Sequence, residues 1–150
     1  MNLIEQINND LKEAMKAGDQ IRLLTIRSIR AQILEFQKSG SGKEFTDEEG
    51  LKMLTSAAKK RKESIEQFQN AKRFDLVEKE QAELKIIEGY LPKQLTAEEI
   101  TAEVAKIAEE IGAKTKEDFS KLMPAAVKQL KGKADGKIIK EIVEKFLGGN

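Results

Sequence analysis

The sequence predicts an all-α protein, with a four-helix N-terminal domain followed by a three-helix C-terminal domain. Apolar residues recur at helical spacing along most of the chain, and no segment keeps the alternation of a half-buried strand. Charged residues make up 35% of the sequence and aromatic residues only 5%, which favours exposed, charged helices over a β-sandwich. Pro92 cannot lie inside a helix, so we place the domains at 1–91 and 92–150.

The first two helices follow from their apolar spacing. The first is predicted over 2–17 and ends at Gly18, which can adopt the left-handed conformation of a helix stop. Its apolar side comprises Leu3, Ile4, Ile7, Leu11 and Met15. The second is predicted over 19–38, where apolar residues cover most of the circumference. We therefore expect it to be the central, most buried helix.

The third and fourth helices follow a flexible segment rich in Ser and Gly at 39–45. Thr46 and Glu49 have the spacing of a capping box, which predicts a helix start and a third helix over about 47–71. The fourth helix is predicted over about 75–88.

The fifth and sixth helices open the C-terminal half. Thr96 and Glu99 form a second potential capping box, and the fifth helix runs from there to about Ile111. The sixth begins near Thr115, and we expect Pro124 to kink or restart it, because proline removes a backbone donor.

The seventh helix and the turn before it have the most functional content. Gly132 can end one helix and Asp135 can cap the next, whose apolar face comprises Ile138, Ile139, Ile142, Val143, Phe146 and Leu147. Lysines surround this turn: Lys128, Lys131, Lys133, Lys137 and Lys140. With Gly132 and Gly136 permitting close backbone approach, the turn has the ingredients of a phosphate-binding corner. It has equally those of a structural joint, because the Asp135 carboxylate would occupy some of the helix amides.

Composition excludes several classes of site. The chain has no Cys and no His, which excludes disulfides, thiolate nucleophiles, Cys-ligated or His-ligated metals and His-dependent triads. We predict no cofactor, no metal and no catalysis by this chain alone. No apolar run is long enough for a membrane span and no signal peptide is evident, so we expect a soluble, cytoplasmic protein that does not contact a membrane. A formal net charge of +1 predicts no global field for nucleic acid.

Two further groups of charges allow alternative interpretations. Helical spacing places Arg61 and Glu80 on otherwise apolar faces, where an unpaired charge is costly. We therefore predict that Glu80 forms a structural ion pair with Arg61 or with an arginine of the second helix. The alternative is a groove in which these arginines bind an anion. The basic residues at 59–62 are spread around their helix, so we interpret them as a solvent-exposed surface. We expect ion pairs of Lys59 with Glu63 and of Lys62 with Glu66 to support the helix. The alternative interpretation is that these basic residues contact RNA.

Three segments together resemble the YqeY proteins of the GatB/YqeY family: KKRKESIEQF at 59–68, the EGYLPKQL hinge at 88–95 and KGKADGK at 131–137. The resemblance extends over essentially the whole chain. From about Glu98 onward the chain also resembles the tail domain of the B subunit of glutamine-dependent aminoacyl-tRNA amidotransferase, where the matching stretch commonly reads GKAN. Asp135 then stands where that subunit often has Asn, and either residue can cap a helix.

The resemblance implies an all-helical protein related to a machine that amidates misacylated Glu-tRNA or Asp-tRNA. In that machine the tail contacts tRNA and the amide transfer belongs to other domains. It implies the class label of a carbon–nitrogen ligase with glutamine as amido-N-donor. Our leading hypothesis is a non-catalytic, tRNA-associated or RNA-associated accessory module, with tRNA or a protein of the amidotransferase or translation machinery as partner. The alternative is a protein–protein adaptor that docks through the acidic fifth helix or the sixth helix. The oligomeric state stays open.

Overall fold

The fold consists of helices and the turns that join them. The computed structural model describes residues 2–148 of the chain. Within them lie seven α-helices and one short 3₁₀ helix, with no strand. The α-helices are α1 (Leu3–Ala17), α2 (Gln20–Lys38), α3 (Asp47–Asn70), α4 (Phe74–Glu88), α5 (Ala97–Ile111), α6 (Phe119–Gln129) and α7 (Gly136–Phe146). The 3₁₀ helix, Lys116–Asp118, leads into α6. The predicted all-α class is confirmed.

Side chains cap several helices. The Thr96 side chain closes the predicted reciprocal capping box at the start of α5. The Asn2 side chain closes another at the start of α1, which was not predicted. Thr46 caps α3 by accepting a hydrogen bond from the backbone N–H of Glu49 at 3.2 Å, but the Glu49 side chain lies near Lys52 instead of returning to the Thr46 backbone. Only half of the predicted capping box therefore forms there. Gly18 adopts the left-handed conformation after α1, as its position predicts.

The chain divides into two compact units, Met1–Leu91 and Pro92–Asn150, and each has its own core. In the first unit α1 packs on α2, α3 packs on α4, and α2 also packs on α4. The core of this unit includes Ile7, Ile26, Ile29, Leu54 and Ile87. In the second unit α5, α6 and α7 pack against one another around Ile100, Val104, Ile107, Leu122, Ile139 and Val143.

The predictions for individual helices are confirmed only in part. Helix α2 is the central and most buried helix, as expected, since it packs on α1, α3 and α4 and buries five residues: Leu23, Thr25, Ile26, Ile29 and Ile33. Its apolar circumference is not buried all round, however, because Leu24 and Ile21 are 54% and 42% exposed. Helix α1 likewise leaves Met15 exposed. Helix α6 does not restart at Pro124 but continues through it. Proline removes one backbone hydrogen bond there, and the rest of the helix is retained because its other face packs in the core through Leu122 and Ala126.

Candidate nucleic-acid interface

The turn between α6 and α7, residues 130–135, is built on two buried apolar residues. Leu130 ends α6 and is 2% exposed, and Ile139 anchors the first turns of α7 at 1% exposed. Between them the backbone N–H groups of Lys133 and Ala134 donate to the Leu130 carbonyl, at 2.9 and 3.3 Å. We call this turn, with the adjoining ends of α6 and α7, the lysine corner. Its backbone is therefore fixed by local hydrogen bonds and by the core beneath it.

A neighbouring segment of the same unit ties down the lysine corner. The Gln94 side-chain Nε2 donates to the carbonyl of Gly132 at 2.7 Å, and the backbone N–H of Leu95 donates to the carbonyl of Lys133 at 2.9 Å. Gly132 is buried and has a φ of 79°, a conformation that favours glycine. Gly132 therefore acts in this structure as part of the joint. Gly136 differs, because it is exposed and a Cβ there would meet nothing within 4 Å.

The amino end of α7 is capped by Asp135. Its Oδ1 accepts a hydrogen bond from the backbone N–H of Lys137 at 2.9 Å, which satisfies one of the amides that an external anion would use. Within the described residues, the N–H groups of Gly136 and Ile138 have no backbone or side-chain acceptor. The helix start is thus partly occupied by its own cap, and lysine side chains provide most of the positive charge at this corner.

The five lysines of the corner all have exposed side chains. Lys128 lies in the last turn of α6, Lys131 and Lys133 lie on the turn, and Lys137 and Lys140 lie on α7. Lys137 and Lys140 are three residues apart on one helix and therefore share a face. Asp135 is the one acidic residue between 128 and 140, and its carboxylate is engaged by the backbone. The corner therefore presents a local excess of positive charge.

Arg61 and Glu80 lie close together, with a third charged residue. The Arg61 Nε atom lies 3.5 Å from Glu80 Oε2 and 3.0 Å from Glu83 Oε2, and it donates a hydrogen bond to Glu83. Sequence reasoning missed Glu83, although its position three residues after Glu80 places both carboxylates on one face of α4. Two carboxylates share one guanidinium, so an additional anion would not be attracted to this place.

Glu80 is the less well satisfied of the two carboxylates. Its Oε2 atom is buried and, within the described residues, receives no hydrogen bond of good geometry although Arg61 lies in ion-pair range. Burial raises the pKa of Glu80 most, the charge of Glu83 raises it further, and the nearby Arg61 charge lowers it less. Glu80 therefore carries a desolvation cost that Glu83, with its direct hydrogen bond, avoids.

A second polar cluster, which the sequence did not indicate, joins α1, α2 and the end of α4. The Tyr90 hydroxyl donates a 2.5 Å hydrogen bond to Asp10 Oδ2, and an Arg22 nitrogen lies 3.7 Å from Asp10 Oδ1. Burial, followed by the hydrogen bond to Asp10, raises the pKa of Tyr90 well above its usual range. A shallow concavity of about 200 Å³ lies beside the cluster, lined also by Gln6 and Lys85. Both Asp10 oxygens are engaged, so the cluster fastens the helices together.

The basic run on α3 behaves as a solvated surface. Lys59, Lys60 and Lys62 are exposed, and only Arg61 turns toward α4. The expected pairs of Lys59 with Glu63 and Lys62 with Glu66 do not form salt bridges in this structure. Across residues 2–148, no group of three or more acidic side chains is arranged to hold a metal ion, and no helix is long and apolar enough to cross a membrane.

Comparison with known proteins identifies a family over nearly the whole chain. The family model described as "Yqey-like protein" matches residues 4–147. Curated relatives named "Altered inheritance of mitochondria protein 41, mitochondrial" include one from Pyrenophora tritici-repentis, 33% identical over 97% of this chain and 81% of the relative. One from Kluyveromyces lactis is 34% identical over 91% of this chain and 71% of the relative. One from Lachancea thermotolerans is 33% identical over 74% of this chain, and the match spans 60% of that relative.

The expectation of a cytoplasmic location is wrong against these relatives, which are named as mitochondrial proteins. That expectation applied the criteria for membrane spans and for secretory signal peptides. Neither criterion detects import into mitochondria, because mitochondrial transit peptides are amphipathic and rich in arginine and lack the long apolar core of a secretory signal peptide.

Proposed function

This chain belongs to the YqeY-like protein family, and we propose that it is a non-catalytic accessory module that binds the phosphate backbone of tRNA or another folded RNA. The observation that supports this is the lysine corner, where exposed lysines surround a turn whose single acidic side chain is engaged in capping. The proposed contact residues are Lys128, Lys131, Lys133, Gly136, Lys137 and Lys140; Gly132, which the sequence also suggested, is buried and serves the turn itself. Lysine side chains and the unoccupied amides of Gly136 and Ile138 would face the phosphates.

The physical properties of the corner suit recognition of backbone and shape. Lysine is a flexible point charge and reads no base edge by itself, so binding would depend on phosphate spacing more than on sequence. The second unit contains no tryptophan or tyrosine, so stacking on bases would contribute little. Each phosphate neutralised releases counterions, and affinity should therefore fall steeply as salt rises.

The similarity of residues 98–150 to the tail domain of the amidotransferase B subunit forms part of this proposal. It assigns tRNA as the first RNA to test and an amidotransferase or translation protein as a further partner. In the same proposal the two compact units act as domains, with RNA contact assigned to the second. The absence of His and Cys from the sequence favours an accessory role over amide transfer by this chain alone.

The test is tRNA binding by the full chain across a salt series. Lys133→Glu/Lys137→Glu should lower affinity at least tenfold at low salt and reduce the slope of log affinity against log salt by about 1.5, because about two phosphate contacts are lost. The matched control is Lys106→Glu/Lys116→Glu, which makes the same change of charge at exposed positions of the second unit outside the corner. Equal, salt-insensitive binding by wild type and both variants would reject the proposal.

A further inference from the structure

The solvent-facing side of α2 carries apolar residues that are left uncovered. Leu24 is 54% exposed and Leu34 is 37% exposed, while Ile26 and Ile33 on the opposite side are buried. Ile21 is 42% exposed but lies about 140° around the helix from Leu34, on the flank of this side. The exposed side of α2 therefore combines two large apolar residues with charged and small residues. We call this side the α2 outer face; it comprises Leu24, Arg27, Ser28, Ala31, Leu34, Glu35 and Lys38, all exposed.

The α2 outer face is symmetric about Ala31. Successive residues turn by about 100°, so Arg27 and Glu35, four residues before and after Ala31, lie about 40° to either side of it. Leu24 and Lys38, seven residues before and after, lie about 20° to either side. Alanine at the centre leaves room for another backbone to approach. The opposite charges of Arg27 and Glu35 make the two halves of the face complementary.

We propose that the α2 outer face binds the same face of a second copy of this chain, with the two helices antiparallel and a twofold axis passing through Ala31. In such an isologous contact, a residue before Ala31 meets the residue equally far after it in the other copy. Arg27 then faces the second copy's Glu35, and this pair occurs twice. Leu24 packs on the aliphatic stem of the second copy's Lys38, and the axis brings the two Ala31 methyl groups together.

The charges favour a second copy over other occupants. Within residues 2–148, neither Arg27 nor Glu35 has a salt-bridge partner, although both lie on the same face. An acidic helix would meet Arg27 favourably but would repel Glu35, and a basic helix or a phosphate backbone would have the reverse difficulty. Only a partner that presents the opposite order of charges satisfies both, and this face read antiparallel presents that order.

The experiment is sedimentation velocity of the full-length chain over a concentration series, with charge reversals on the α2 outer face. Wild type should dimerise, and Arg27→Glu or Glu35→Arg alone should weaken dimerisation at least tenfold, because each places like charges together. The double variant Arg27→Glu/Glu35→Arg should recover wild-type association. An equimolar mixture of the two single variants should also associate, although neither does so alone. Lys60→Glu, an exposed reversal on α3, is the matched control and should behave as wild type.

Cross-linking gives a second, independent readout. The chain has no Cys, so Ala31→Cys introduces a single thiol, which the twofold axis would place against its copy within disulfide reach. Mild oxidation should convert this variant to a covalent dimer, whereas Lys60→Cys should remain monomeric. A wild type that stays monomeric at several hundred micromolar overturns the proposal. So does a dimer that is unchanged by the single charge reversals, or one that Ala31→Cys fails to link.

Discussion

At the scale of single residues, the ion cluster on α3 and α4 shows how one guanidinium serves two carboxylates unequally. Arg61 donates a hydrogen bond to Glu83, while Glu80 has only the longer, ion-pair contact and a buried oxygen. Removing a charged group from water is costly unless hydrogen bonds replace the lost hydration. The cluster therefore stabilises the packing of α3 on α4 through the hydrogen bond of Arg61 to Glu83. The desolvation cost of the Glu80 carboxylate offsets part of this stabilisation.

Glu80→Gln should raise the free energy of unfolding at pH 7. The folded-state pKa of Glu80 lies above its ordinary value of 4.5, so the folded protein binds this proton more readily than the unfolded chain does. The contribution of the Glu80 carboxyl to the free energy of unfolding is therefore fully present below about pH 4.5, and it is lost as the pH rises through the pKa of the folded state. The gain from Glu80→Gln should be visible at neutral pH and should disappear below pH 4.5, as measured by urea unfolding at each pH.

Glu83→Gln is the matched control for that substitution. It weakens the charge-assisted hydrogen bond from Arg61 and should lower the free energy of unfolding by about 1 kcal/mol at pH 7. If both substitutions destabilise the protein equally at pH 7, the unequal sharing of Arg61 is wrong.

Tyr90 offers a site-specific probe of the cluster with Asp10 and Arg22. It is the only tyrosine, and the chain has no tryptophan, so the absorbance change at phenol ionisation reports on this residue alone. Because burial and the bond to Asp10 raise the pKa of Tyr90, its phenol should stay protonated well beyond pH 10 in the folded protein. The unfolded chain releases the proton near pH 10, so stability should fall as pH rises above that value.

An alkaline absorbance titration checks this prediction. We expect ionisation of Tyr90 to coincide with loss of helical circular dichroism, since the phenol is released only on unfolding. Asp10→Asn removes the negative charge beside the hydroxyl and should bring the titration back toward pH 10. A wild-type titration that is complete near pH 10 while the helices remain intact would contradict the assignment.

The sequence indicated that Arg61 and Glu80 need partners but could not choose among the partners available. Periodicity places a residue on a face, whereas the choice between Glu80 and Glu83 depends on the rotation of α4 against α3. The hydrogen bond between Tyr90 and Asp10 could not be predicted from the sequence either, because the two residues are eighty positions apart and meet only through the packing of the helices. The lysine corner was recognisable, since all its residues lie within one local turn.

At the scale of helices, most starts were predictable because a cap depends on residues three positions apart. Thr46, Thr96 and Asp135 cap the helices that they were predicted to cap, whereas the cap at Asn2 was not predicted. Predicting the surroundings of a helix is harder. The apolar circumference of α2 correctly predicted the most buried helix, but it did not predict that Leu24 and Ile21 are exposed, because composition does not reveal on which sides a helix has neighbours.

Asp135 combines a structural role with a cost to the proposed function. Its carboxylate caps α7, yet its negative charge lies among the lysines of the corner. Asp135→Asn keeps an acceptor for the Lys137 N–H and removes the charge. It should therefore leave thermal stability nearly unchanged and raise tRNA affinity severalfold at low salt, with the difference shrinking at high salt.

Asp135→Ala separates the two roles. It removes the charge and the cap together, so it should lower the free energy of unfolding by about 1 kcal/mol. If tRNA affinity responds to neither substitution, phosphate contact at this corner is excluded whatever the stability results.

At the scale of the whole molecule, the chain has two separate apolar cores. The residues buried among α1 to α4 and those buried among α5 to α7 form clusters that share no member. The second unit is near the size at which a domain buries only about 60% of the surface its unfolded chain exposes, so its stability margin is small. We therefore expect the two units to unfold as separate cooperative units, with the second opening at the lower free energy.

A matched pair of conservative core substitutions tests this in the full chain. Ile26→Val in the first core and Ile139→Val in the second remove the same methyl group at residues that are 0% and 1% exposed. Each should destabilise by about 1 kcal/mol. Native-state hydrogen exchange should show Ile26→Val lowering protection in α1 to α4 alone and Ile139→Val lowering it in α5 to α7 alone, because cooperative opening follows the shared core. If either substitution lowers protection equally in all seven helices, the chain unfolds as one cooperative body. The lysine corner would then depend on the whole fold, and RNA contact could not be assigned to a self-sufficient second unit.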